Sequence, residues 1–186
     1  MSDHALPAPV DLFERATRHA DAVMARVSPD QLSSPTPCSE WTVQQLIDHM
    51  VGATDYLLGA LSGQPPVPRT GTSHADYRAG VAQVLAGLHS PGVLDRTCRS
   101  PLDFEWTVGQ ATAGTFMDQL IHTWDLATAT GQDATLDADL VAACSAMFLP
   151  HMPEMGRSVG FVGPAIDVAA DASEQDRLLA AMGRRP

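Results

Sequence analysis

From Pro9 to Val27 the apolar residues Val10, Phe13, Ala16, Ala20, Val23, Met24 and Val27 recur at three- and four-residue steps, and that period returns along most of the chain. It is the pattern of helices that bury one face. It leaves little sequence for a sheet, because a half-buried strand needs alternation with a period of two, and only Ile166 to Ala169 hints at that. The spacing predicts a helix over Pro9 to Val27, a helical step at Pro29 to Leu32, and a second long helix opening at Thr42, with Gln45 as its capping-box partner. Further helices are expected over Ser73 to Leu88, from Thr107 to Thr130, over Leu136 to Leu149 and over Ser173 to Met182. The Pro-rich run Gly63 to Gly71 cannot continue a helix. Leu94 to Phe104 and Pro150 to Pro164 read as loops.

The expected fold is therefore all-α. A chain of 186 residues, 45% hydrophobic but only 5% aromatic, fits a single domain over 1–186 built by small-residue helix packing; folding at this size buries roughly 70% of the unfolded surface. The formal charge is −11, and the 11 basic residues, all Arg, form no cluster, so nucleic acid and anionic membranes are not expected partners. No run approaches the ~18 apolar residues that span a bilayer, and the N-terminal MSDHALPAPV lacks the basic and apolar regions of a signal peptide. Cys38, Cys98 and Cys144 are odd in number and far apart, which fits a reducing cytoplasm. A homodimer is compatible with this composition.

One internal echo stands out. Ser-Glu-Trp-Thr-Val-Gln-Gln at 39–45 returns as Phe-Glu-Trp-Thr-Val-Gly-Gln at 104–110, an offset of 65 residues, and each copy introduces a long helix. Trp-Thr-Val is a good helix start in its own right, with Thr as N-cap and Gln three residues on; a duplicated helix pair is the other reading.

Asp118 and His122 are four residues apart in the fourth expected helix and share one face. That is metal-ligand spacing, and also the spacing of an ordinary surface or hydrogen-bonded pair. Burying both groups in an apolar bundle requires pairing or coordination. His49 lies near the apolar face of the second helix, between Ile47 and Met50. If the two helices meet there, His49, Asp118 and His122 form a ligand set suited to zinc or nickel, with coordination positions left open. Asp48 and Asp125 are candidates to orient the ligands. His4, His19, His74, His89 and His151 read as ordinary surface histidines, and Trp41, Trp106 and Trp124 as packing residues. Cys38 reads as a structural or free thiol near a helix start, with no base evident beside it.

The run from Pro37 through Trp41-Thr42-Val43 to Asp48-His49, the segment DQLIHTWDLA at 118–127, and ASEQDRLLAAMG at 172–183 resemble an actinobacterial family of metal-binding proteins. That family is similar to the N-terminal domain of mycothiol-dependent maleylpyruvate isomerase, within the DinB/YfiT-like superfamily, and the resemblance runs from about residue 10 to the end. It implies a DinB-like four-helix bundle with additional short helices. It also implies a divalent metal on one His of the second long helix and on an acid-x-x-x-His pair, positions that match His49, Asp118 and His122. The isomerase carries Glu where this chain has the shorter Asp118, which changes the geometry offered to an ion. No counterpart of the isomerase's additional C-terminal domain is expected here. The implied activity is that of a metal-dependent enzyme, a mycothiol or other low-molecular-weight thiol S-transferase or isomerase, with hydrolases also among the relatives. The alternative is a non-catalytic protein that binds or senses a small ligand in the same cavity.

Overall fold

The computed structural model describes residues 7–38 and 40–186. His4, and Ser39 at the head of the first Trp-Thr-Val copy, lie outside the described residues. The described residues cluster into two compact units, Pro7–Ala134 and Thr135–Pro186.

The first unit holds four long helices. α1 (Pro9–Met24) begins with Pro at a position where no amide donor is needed. It ends before Val27, because Arg26 and Val27 donate to Val23 and Met24, three residues back, in a closing turn. α2 (Val43–Ser62) is capped by Thr42, whose side chain accepts from the Gln45 N–H while Gln45 Oε1 accepts from the Thr42 N–H at 2.9 Å. Gly63 ends it in the left-handed conformation, φ 73°, which glycine adopts without strain. α3 (His74–Leu88) is capped by Ser73 and Asp76. α4 (Val108–Ala129) repeats the device of α2, with Thr107 and Gln110 as the box. α1 packs on α4 and α2 on α3, and α2 also packs on α4. Leu12, Phe13, Leu46, Met50, Leu57, Tyr77, Phe116, Leu120 and Leu126 are fully buried within the unit. The fold is thus the expected all-α, DinB-like arrangement.

The echo in the sequence is an echo in structure. Helix, 3-10 turn and helix (α1, Pro29–Gln31, α2) recur as α3, Val93–Asp95 and α4, their first residues displaced by 64 to 65 positions. Before α2, Thr42 bridges Pro35 and the Val43 N–H donates to Ser34 O at 3.0 Å; before α4, Thr107 pairs with Thr97 and the Val108 N–H donates to Arg96 O at 2.8 Å.

Three expectations need correction. Leu94 to Phe104 is not an irregular loop: it contains part of the 3-10 turn and strand β1 (Thr97–Arg99), which pairs antiparallel with β2 (Glu105–Thr107) and sets Cys98 opposite Trp106. Tyr56 of α2 anchors this hairpin, accepting from Trp106 Nε1 at 2.8 Å and donating to Arg99 O at 2.9 Å. Pro150 to Pro164 is not loop throughout, since α6 (Met152–Ser158) forms within it, Pro153 sitting in the first turn where its missing N–H is harmless. Ile166 to Ala169 is not a strand; the Ile166 N–H donates to Ala180 O at 3.0 Å.

The second unit holds α6, α5 (Ala138–Phe148) and α7 (Glu174–Ala181). Asp137 caps α5 and Ser173 caps α7, and these two helices pack together. Cys144, Leu178 and Leu179 are buried, and burial pushes the Cys144 thiol up to about 12.

Candidate metal centre

All the residues that gather at the site belong to the first unit. α2 supplies His49, and α4 supplies Asp118, His122 and Asp125. Because α2 and α4 pack along each other, His49 Nε2 comes to 2.9 Å from Asp118 Oδ1, and His122 Nε2, one turn further along α4, to 3.4 Å from the same oxygen. The three side chains are 35%, 26% and 9% exposed respectively, so the group opens to solvent on the His49 side.

Asp125 is wholly buried, and its Oδ2 lies 2.9 Å from His122 Nδ1. That contact puts a proton on Nδ1, so that Nε2, which faces Asp118 and His49, is the nitrogen that would give a lone pair to an ion once its own proton leaves. Trp41 walls the group, its ring centroid 4.7 Å from that of His49 and 5.7 Å from that of His122.

Burial by itself would push the Asp118 carboxyl up, but the imidazoles of His49 and His122 outweigh it and hold Asp118 well below the usual carboxylate range. Burial also disfavours a charged His122; Asp118 first, then hydrogen bonds with Asp118, Asp125 and Cys38, reverse that and raise His122 well above an ordinary histidine. The cluster is thus a site strongly biased toward holding positive charge. One atom is left over. Asp118 Oδ2 is buried and has no hydrogen-bond partner among the described residues, a position that costs about 1–3 kcal/mol unless something occupies it. Two imidazole nitrogens and a carboxylate with a vacant buried lone pair make a donor set that fits a divalent first-row ion.

Of the residues singled out from sequence, His49, Asp118, His122 and Asp125 come together. Asp48 does not join them: its carboxylate accepts hydrogen bonds from Gln44 Nε2, the Gly71 N–H, and the N–H and hydroxyl of Thr72, and so ties the segment before α3 to α2. Sequence reasoning missed the surroundings of Cys38. Its Sγ lies 3.3 Å from Asp125 Oδ2 and 3.8 Å from His122 Nδ1, and none of the three cysteines is in a disulfide. Only its place in the Pro-Cys-x-x-Trp-Thr run, just ahead of α2, pointed to this region.

Residues 13–95 match the family described as the mycothiol maleylpyruvate isomerase N-terminal domain. Two uncharacterized proteins of Mycobacterium tuberculosis, MT0763 and Rv0738 from two strains, are each 33% identical over 187 residues, covering 95% of this chain and 97% of theirs. The chain belongs to this isomerase N-terminal domain family. The family match runs from α1 through the second 3-10 turn and includes Cys38, Trp41 and His49; Asp118 and His122 lie beyond it, in the part shared with the mycobacterial relatives. No solved structure matches the chain. None of its described helices is long and apolar enough to cross a membrane.

Proposed function

We propose that this member of the mycothiol maleylpyruvate isomerase N-terminal domain family is a metal-dependent enzyme. Its reaction would be transfer of a low-molecular-weight thiol such as mycothiol to an electrophile, or thiol-assisted isomerisation. The observation that carries the reading is the convergence of His49 Nε2 and His122 Nε2 on Asp118 Oδ1, with Asp118 Oδ2 buried and vacant beside them.

His49, Asp118 and His122 would hold the ion, zinc before nickel on the donor types. When bound, such an ion acidifies a thiol or water at its open position and polarises a neighbouring electrophile. The rest is supplied by the chain. Asp125 fixes the ring orientation and tautomer of His122. Trp41 closes one side and limits water there, while the partly exposed His49 edge leaves the route for a small molecule.

The test is to incubate tag-free, zinc-loaded protein with mycothiol and a panel of epoxides, alkyl halides and cis-unsaturated diacids, following thiol loss and isomerisation. Turnover that disappears in His49→Ala is the expected result. No turnover with any pair, while mycothiol alone raises Tm, would replace the enzyme by a small-ligand-binding protein.

A further inference from the structure

His122 is used on both edges of its ring. Nε2 faces His49 and Asp118, and Nδ1 faces a second group of donors, Cys38 Sγ and Asp125 Oδ2. The three atoms of that second group form a triangle with sides of 2.9 Å (His122 Nδ1 to Asp125 Oδ2), 3.3 Å (Cys38 Sγ to Asp125 Oδ2) and 3.8 Å (Cys38 Sγ to His122 Nδ1). An ion held at about 2.3 Å from sulfur and about 2.0–2.1 Å from nitrogen or oxygen spaces its tetrahedral ligands roughly 3.3–3.6 Å apart. The triangle therefore surrounds a position of the right size with small adjustments of the side chains.

The chemistry of the donors agrees. A thiolate, an imidazole and a carboxylate are a ligand set for a thiophilic divalent ion, and a softer one than the His/Asp/His group on the other side of the ring. Asp125 is wholly buried, so its carboxylate needs positive charge or strong donors around it. Cys38 is only partly buried, which gives an ion a way in.

We propose that Cys38, His122 and Asp125 form a second metal site, for a thiophilic divalent ion such as zinc, cobalt or cadmium, with the His122 imidazole bridging it to the first group. The inference shares His122 with the proposed function but reads a different edge of the ring. On binding, the Cys38 S–H proton and the His122 Nδ1–H proton leave to solvent, and the ion takes the places of both at Asp125.

The experiment is a cobalt titration of tag-free protein under reducing conditions, read by near-ultraviolet and visible absorption. A thiolate-to-cobalt charge-transfer band reports only on the cysteine site. The band should grow in the wild-type protein, persist in His49→Ala and vanish in Cys38→Ser, while the Cys38→Ser protein keeps the visible bands of cobalt bound at the other group. A wild-type protein saturated with cobalt but lacking the band overturns the second site. That result leaves the His49 group untouched, so the two readings fail separately. A band that survives Cys38→Ser also overturns the proposal, because another thiol would then be the ligand.

Discussion

The behaviour of the site turns on which nitrogen of His122 does what. Asp125 accepts from Nδ1, and that buried contact turns Nε2 toward Asp118 and His49 as the nitrogen that would meet an ion. Asp125→Asn keeps the size of the side chain but removes the charge that fixes the tautomer. It should weaken binding of the ion at the His49 group about 10–100-fold, measured by competition with a chromophoric chelator; an unchanged affinity would contradict the orienting role. Much of this was legible in the sequence. Asp118 and His122 share a face because a helix repeats every 3.6 residues, and His49 sits beside apolar positions of its own helix. Cys38 was not legible, because its partners lie 84 and 87 residues away and only tertiary packing brings them within reach. Asp48 failed as a ligand-orienting residue for a physical reason. The segment before α3 carries N–H groups that need acceptors, and Asp48 is the acceptor.

Among the elements, the fit between α2 and α3 is tightest where α3 carries Gly80. A Cβ there would lie 2.2 Å from Thr54 Oγ1 and 3.0 Å from Thr54 Cβ, so the two helices would have to move apart. Gly80→Ala should lower stability by about 1–2 kcal/mol, overpacking of about 1–3 kcal/mol outweighing the helix propensity gained; the check is a lower urea midpoint at an unchanged slope. At the start of α3, hydrogen bonds from the Ser73 hydroxyl and then from its N–H hold Asp76 below the usual carboxylate range. A depressed folded value means that this contribution is present above the unfolded pKa of about 3.9 and fades as the pH falls through the folded one. The difference in urea midpoint between wild type and Asp76→Asn should therefore shrink as the pH is lowered below about 4; a difference that stays constant or grows would contradict it. The long helices were readable because their apolar stripes persist for several turns. The hairpin was not, because three-residue strands are too short to display alternation, and α6 was hidden by prolines that its first turn tolerates.

The two similar helix–turn–helix arrangements differ at the positions that carry the site. Displacing His49 by 65 residues gives Gly114, and displacing Asp118 and His122 back by the same step gives Ala53 and Leu57. Trp41 covers His49 in one copy, and Trp106 covers Gly114 in the other, where an added Cβ would come within 2.9 Å of the indole. The arrangement recurs, but the counterpart positions carry no donors.

At the scale of the molecule, the Pro7–Ala134 unit contains every donor, and the chain carries a formal charge of −11. The family match covers residues 13–95, which bear His49, while the match to the mycobacterial relatives extends through α4 and the second unit. Metal held by His49, Asp118 and His122 is the central claim, and the metal content of protein purified without an affinity tag tests it most directly. Wild-type protein should carry a stoichiometric divalent ion by elemental analysis, and His122→Ala, which removes the donor common to both groups, should carry almost none. Equal and negligible metal in the two proteins after incubation with zinc would contradict the account.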